Sequence, residues 1–465
     1  MSESQTQGGK RPAPPHDGEG LSRKKLKKAR KKNGRKNFDM SKYMQRYVAI
    51  SIAYFGHNYR GFVMQPSTPE TVEHYLFLAL EKTCLIEDRK SCRYALSGRT
   101  DAGVSAVGQV ISIKLRSKRK KPVSMDGDLD GAGETETDLL PRHEELDYIG
   151  VLNRNLPPDV RALAWADVPD HFSARFSPVS RTYRYFFPRR NLDIQRMQDA
   201  CSLYLGDHDF RNFCKMNVVT VRNFRRNILS FKVLPVPRTS GFSASDASGC
   251  SRTMYMMEIT GTAFLWHQVR MMAAVLFLIG SGHESKEVIT QLLDVEKHPA
   301  RPQYSLASEA ALVLYSTNFQ HLRFDKGNTG LSWIAKHYEK MWYDIALKAS
   351  AALTFLGVVH DLAQHEQDKT ALQSLQVATD YDPGYRSKVG AYVPLMARAR
   401  AMTYDDKVEN LSDRKAEKRD NYIKYSVDGP SERERAVQGR ERREKRRMEQ
   451  AKYLADLAKQ QDKTC

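Results

Sequence analysis

Ser97-Gly98-Arg99-Thr100-Asp101-Ala102-Gly103-Val104 separates two strand-like stretches, Arg93 to Leu96 and Gln109 to Leu115. Glycine allows tight turns and close backbone approach, so Gly98 and Gly103 bracket a turn carrying an arginine and a carboxylate. A glycine-rich loop can cradle phosphate, but the Gly-Lys-Ser/Thr ending is missing and a carboxylate repels phosphate. The loop is therefore built to present Asp101. Spacing alone favours a plainer reading, a surface turn with a local ion pair.

Working outward, Val48 to Tyr54 reads as a strand that Gly56 ends. Thr71 is placed to cap a helix with Val72, Tyr75, Leu76, Leu78, Ala79 and Leu80 on its apolar face. Strand patterns recur at 160–165, 181–187, 227–233, 254–260 and 312–315. Helical patterns recur at 193–205, 263–279 and 285–295. Strands and helices interleaved at hairpin-like spacing argue for an α+β domain over residues 45–320. Residues 116–144 form a polar insertion, basic and then acidic, expected to be a mobile loop. Leu331 to Val358, rich in Trp, Tyr, Ala and Leu, reads as an amphipathic helix that docks on the core within a helical extension, 321–404. Residues 405–465 read as a charged tail.

The chain has 465 residues and a formal net charge of +19. Such a balance points to a polyanionic partner such as nucleic acid. Much of it lies in residues 1–44, where Arg23-Lys24-Lys25-Leu26-Lys27-Lys28-Ala29-Arg30-Lys31-Lys32 cannot pack and repels itself. This tail is expected to be disordered and to serve as a nuclear localisation signal, a nonspecific RNA-binding arm or both, with the nucleus as the expected location and the cytoplasm as a second. The six cysteines form no C-x-x-C pair and read as reduced thiols. No histidine or cysteine spacing suggests a metal site. The longest apolar run, Met271 to Gly280, is about half a membrane span, so no membrane association is expected.

Five blocks in order change the reading of Asp101. Ser97 to Ala106 with Gly108-Gln109-Val110 resembles the signature of TruA-type pseudouridine synthases. Leu152-Asn153-Arg154-Asn155-Leu156-Pro157-Pro158-Asp159-Val160, Phe172-Ser173-Ala174-Arg175-Phe176, Arg181-Thr182-Tyr183-Arg184-Tyr185 and Phe264-Leu265-Trp266-His267-Gln268-Val269-Arg270 resemble the family's further motifs. The resemblance covers residues 46–320. It implies two ferredoxin-like halves sharing a central, mostly antiparallel sheet with flanking helices. It implies isomerisation of uridine to pseudouridine in tRNA, with no cofactor, no metal and no obligatory small-molecule ligand. Asp101 matches the catalytic aspartate, and Arg270 the arginine that pairs with it. Tyr183 matches the tyrosine that packs on the target base. Arg99 and Arg175 match arginines that contact RNA.

Arg181 to Arg189, Gly206 to Met216 and Pro302 to Ser308 resemble the eukaryotic branch acting at positions 38 and 39 of the anticodon arm. Gly61-Phe62-Val63-Met64-Gln65 and the acidic stretch at 126–138 depart from the family pattern. The alternatives are a TruA-type synthase for other tRNA positions or mRNA, a catalytically silent RNA chaperone on the same scaffold, and a basic ribosome-assembly factor. Bacterial members of the family are homodimers, which makes a homodimer an expectation here.

Overall fold

The computed structural model describes residues 38–121 except 66, 140–237 except 220, 251–324, 331–365 and 392–413. The basic run at 23–32, the acidic stretch at 126–138 and most of the 405–465 tail lie outside the described residues.

In chain order the strands are β1 (Tyr43–Tyr54), β2 (Ala95–Leu96), β3 (Ser105–Lys120), β4 (Val160–Asp167), β5 (Pro178–Arg190), β6 (Gly206–Asp209), β7 (Arg225–Pro235), β8 (Ser251–Gly261) and β9 (Leu312–Phe319). The helices are α1 (Val72–Lys82), α2 (Tyr148–Asn153), α3 (Ile194–Cys201), α4 (Gln268–Gly280), α5 (Glu287–Leu293) and α6 (Leu331–His365). One sheet runs β4-β1-β3-β9-β5-β8-β7-β6, with β2 paired to β3. Every pairing is antiparallel except β3 with β9. The expected α+β class, with a mostly antiparallel central sheet, is what folds.

The sheet divides into two halves with separate cores. In the first half, Val48, Ile50 and Ile52 of β1 and Ile111 and Ile113 of β3 pack with Leu76 and Leu80 of α1 and Leu152 of α2. In the second, Phe187, Phe231 and Ile259 pack with Met272, Leu276 and Phe277 of α4 and Met197 of α3. Alternating side chains put one set of strand residues on the helix-covered face. Tyr183 of β5 touches both cores. The halves meet at two parallel pairs, Ser105 with Val313 and Ala106 with Leu314. Just beyond, the strands press together: a Cβ on Gly108 would lie 2.4 Å from both Ser316 Cα and Tyr315 O.

Four expectations need correction. β1 begins at Tyr43, inside the stretch read as tail, and pairs there with Lys120. The basic run Arg116–Lys120 is the end of β3 rather than the start of a loop. Its polar groups have partners that sequence cannot show. Ser117 Oγ and Lys118 N donate to buried Glu145 at 2.6 and 2.7 Å, and Arg116 lies over the Phe38 and Tyr43 rings. α4 starts at Gln268, not Ala263, because His267 adopts a left-handed backbone (φ 66°) that a helix cannot continue through. Only the first turns of α6 dock: Ile334 is buried, His337 Nε2 lies 2.6 Å from Pro158 O, and Tyr338 meets Phe55. Beyond them Trp342, Tyr343, Ile345, Phe355 and Val359 are exposed. By length and composition, Leu331–Val359 could cross a membrane.

The seam gives a direct test. Gly108→Ala should lower unfolding free energy by about 1–3 kcal/mol through backbone collision, read from urea midpoints. A change below about 0.5 kcal/mol would show that β3 and β9 do not approach this closely.

Candidate active site

The loop 97–104 links β2 to β3 and so enters the sheet at the seam. Buried Gln109 of β3 staples its root: Nε2 donates to Gly98 O at 2.7 Å, and Oε1 accepts from Ser97 Oγ at 2.7 Å. The other arm is held by Tyr54, whose hydroxyl lies 2.6 Å from Thr100 Oγ1. Backbone bonds from Gly103 N to Tyr59 O and from Phe62 N to Thr100 O tie the loop to the segment after β1. Gly103 has φ 79°, the conformation glycine supplies without strain. Gly98 is not left-handed and its missing Cβ leaves ordinary contact room. Burial of these polar anchors with their bonds satisfied makes the loop rigid.

Asp101 stands on this loop with its side chain 27% exposed. Its Oδ1 accepts from Trp266 Nε1 at 2.9 Å, and its Oδ2 lies 3.5 Å from His267 Nε2. Tyr183 is close enough for the Asp101 charge to act on it. Its phenol is pushed up to about 12, by burial above all and by Asp101, while Arg181 opposes the shift. The ring stacks edge-on against Phe264 at 5.1 Å. Tyr183 is therefore neutral at physiological pH and offers a ring and a hydroxyl rather than a phenolate. Tyr185, two residues on, is core and packs on Phe277.

Arg270 departs from expectation. It is buried, but its Nε donates to Ala307 O and its Nη2 to Glu309 Oε2, both at 2.7 Å. The expected pair with Asp101 is absent among the described ion pairs. The cause is the late start of α4. The turn at His267 places Trp266 and His267 at the carboxylate and leaves Arg270, in the first helical turn, facing the segment before β9. There the Glu309 side chain lies across the loop: a Cβ on Gly103 would meet Glu309 Cγ at 2.6 Å. Arg270 thus supports the Asp101 loop through Glu309.

Arg99 and Arg175 are exposed. Arg99 has no partner among the described residues, and Arg175 lies over the Phe176 ring, itself exposed. Both are free to meet a polyanion. Sequence reasoning quoted Arg181 within a motif but gave it no role. Its guanidinium donates to Ser97 O, Thr262 O and Arg175 O, joining the Asp101 loop, the end of β8 and the Arg175 loop. It likewise gave no role to Lys215, whose ammonium sits 4.4 Å over the Trp266 ring. Trp266 and His267 were quoted in a motif without roles. Glu309 carried no sequence signal at all.

Comparison with known proteins identifies the family. A family profile described as tRNA pseudouridine synthase matches residues 200–320. A Bos taurus protein named tRNA pseudouridine(38/39) synthase is 41% identical over 386 residues, 80% of this chain and 78% of the relative. The Homo sapiens protein of that name is 46% identical over 320 residues, 69% of this chain and 65% of the relative. The Saccharomyces cerevisiae protein of that name is 34% identical over 395 residues, 82% of this chain and 80% of the relative. The chain belongs to the TruA-type tRNA pseudouridine synthase family, in its eukaryotic branch.

Proposed function

We propose that this enzyme converts uridine to pseudouridine at positions 38 and 39 of the tRNA anticodon arm, with Asp101 as nucleophile. One observation carries the assignment: a partly exposed carboxylate on a rigid loop at the seam, with neutral Tyr183 beside it. In the reaction the N1–C1′ bond breaks, the base turns, and C5 joins C1′. The C5 proton leaves and N1 gains one, so no outside oxidant or reductant is needed. A fixed carboxylate can attack, or stabilise the developing cation, without reorganising. The Tyr183 ring suits the face of a base that has left its stack, at a cost of a few kcal/mol. Arg99 and Arg175 supply phosphate contacts, so affinity should fall steeply with salt. Positions 38 and 39 are taken from the names of the bovine, human and yeast relatives.

The enzyme is further proposed to act as a homodimer through α6. Positions 331, 335, 338, 342, 345, 349, 352, 356 and 359 are all apolar or Tyr at the 3.5-residue spacing of a helix–helix seam. Trp342, Ile345, Leu356 and Val359 of that row are exposed. Glu339, Lys340, Asp344 and Lys348 in the same helix favour a second copy over a bilayer, where charge is costly. The basic run at 23–32 is proposed to direct nuclear import. Its replacement by Ser and Gly should leave a fluorescent fusion in the cytoplasm, and undiminished nuclear signal would refute that role.

Asp101→Asn should form no detectable pseudouridine in unmodified tRNA mapped by chemical primer-extension stops. tRNA Kd should stay within about threefold, because the carboxylate carries no phosphate contact. Product from this variant would overturn the nucleophile. Wild-type product outside the anticodon arm alone would overturn positions 38 and 39. In the same assay Arg270→Ala should lose about tenfold or more in rate with binding largely kept, and a proportionate loss of both would contradict its supporting role. Light scattering should give about twice the 53.1 kDa chain mass and fall to one chain for Trp342→Lys with Ile345→Asp. A single-chain mass for the wild type would exclude the α6 dimer.

A further inference from the structure

His267 is one of four non-glycine residues with positive φ among the described residues, at φ 66° and ψ 4°. A left-handed residue costs about 1–2 kcal/mol, and strain of this kind persists where the surroundings impose it. Here it has a visible consequence. Neighbouring side chains ordinarily diverge, to opposite faces of a strand or by about 100° around a helix. The left-handed turn instead lets Trp266 and His267 converge on one carboxylate. Trp266 Nε1 reaches Asp101 Oδ1 at 2.9 Å, and His267 Nε2 faces Oδ2 at 3.5 Å.

The other ring nitrogen fixes the protonation state. His267 Nδ1 is buried and has no partner among the described residues. A buried N–H without an acceptor is expensive, whereas a bare lone pair is tolerated better. The proton therefore belongs on Nε2, toward Asp101. Burial holds His267 below the usual imidazole range; Asp101 opposes this, and Arg270, Lys215 and Arg301 add to it. The ring is thus a neutral donor. The Nε2–Oδ2 spacing is longer than a formed hydrogen bond, an open contact that can close as substrate shuts out water.

We propose that His267 is a positioning residue for Asp101: with Trp266 it aims the two carboxylate oxygens through neutral N–H donors while Arg270 stays engaged with Glu309. The proposal rests on Asp101 being the nucleophile.

The test uses the full chain, unmodified tRNA and single-turnover rates. His267→Gly removes the imidazole and relieves the backbone strain, so folding is kept or improved. Its rate should fall about 10- to 100-fold, tRNA Kd should stay within about twofold, and added imidazole should restore part of the rate. His267→Gln places an amide N–H near the lost Nε2 and should keep more than about a tenth of wild-type rate. A folded Gly variant within about threefold of wild type would overturn the proposal. So would a Gln variant as slow as the Gly variant, or Gly-variant loss residing wholly in Kd. If His267→Gly does not fold, His267→Gln decides alone, and an inactive folded protein overturns the proposal. Product from Asp101→Asn would instead remove the nucleophile beneath it, so the two failures are distinguishable.

Discussion

The site depends on one contact, the two-pair parallel seam between β3 and β9. Each half of the sheet has its own core and helices, and hydrophobic burial holds each half together. Buried Leu314 and partly buried Tyr183 span the halves, but burial does not set how closely the strands approach. The seam does, and the absent side chain of Gly108 lets it close. The loop of Asp101 ends where β3 enters the seam, and the segment bearing Glu309 ends where β9 does. Residues from distant parts of the chain therefore meet across a few ångströms.

Around Asp101 the protein uses neutral donors close in and charge further out. Trp266 touches the carboxylate and His267 faces it. Arg270 and Glu309 form a pair behind the loop, with a main-chain carbonyl taking a second guanidinium donor. A guanidinium this buried needs its donors satisfied. Glu309 and Ala307 do so without occupying Asp101. Arg181 plays the matching part on the other side, tying three backbone carbonyls together. The Asp101 loop is thus rigid, while its face toward solvent carries exposed Arg99.

Most of the sheet was legible because alternating apolar residues and a helix cap are local signals. Val48 to Tyr54 and Thr71 are where their patterns place them. Legibility failed where a distant partner overrides local character. Arg116 to Lys120 reads as loop until Glu145 and the rings of Phe38 and Tyr43 are brought beside it. The start of α4 was missed because Ala263 to His267 has no helix breaker; the break is a backbone conformation, not a residue type. The partner expected for Arg270 came from the resemblance, and its guanidinium bonds Ala307 and Glu309 instead. Asp101 was legible only through its ordered company along the chain. Glu309 was not legible, since nothing near it in sequence marks a cleft.

Catalysis at Asp101 requires the target uridine to sit against its side chain. The most direct measurement is the structure of Asp101→Asn bound to tRNA. A uridine at position 38 or 39 should lie out of its stack on the Tyr183 ring, with its C1′ or C6 within about 4 Å of the residue 101 side chain. A target uridine still stacked in the arm, or seated away from residue 101, would contradict the account.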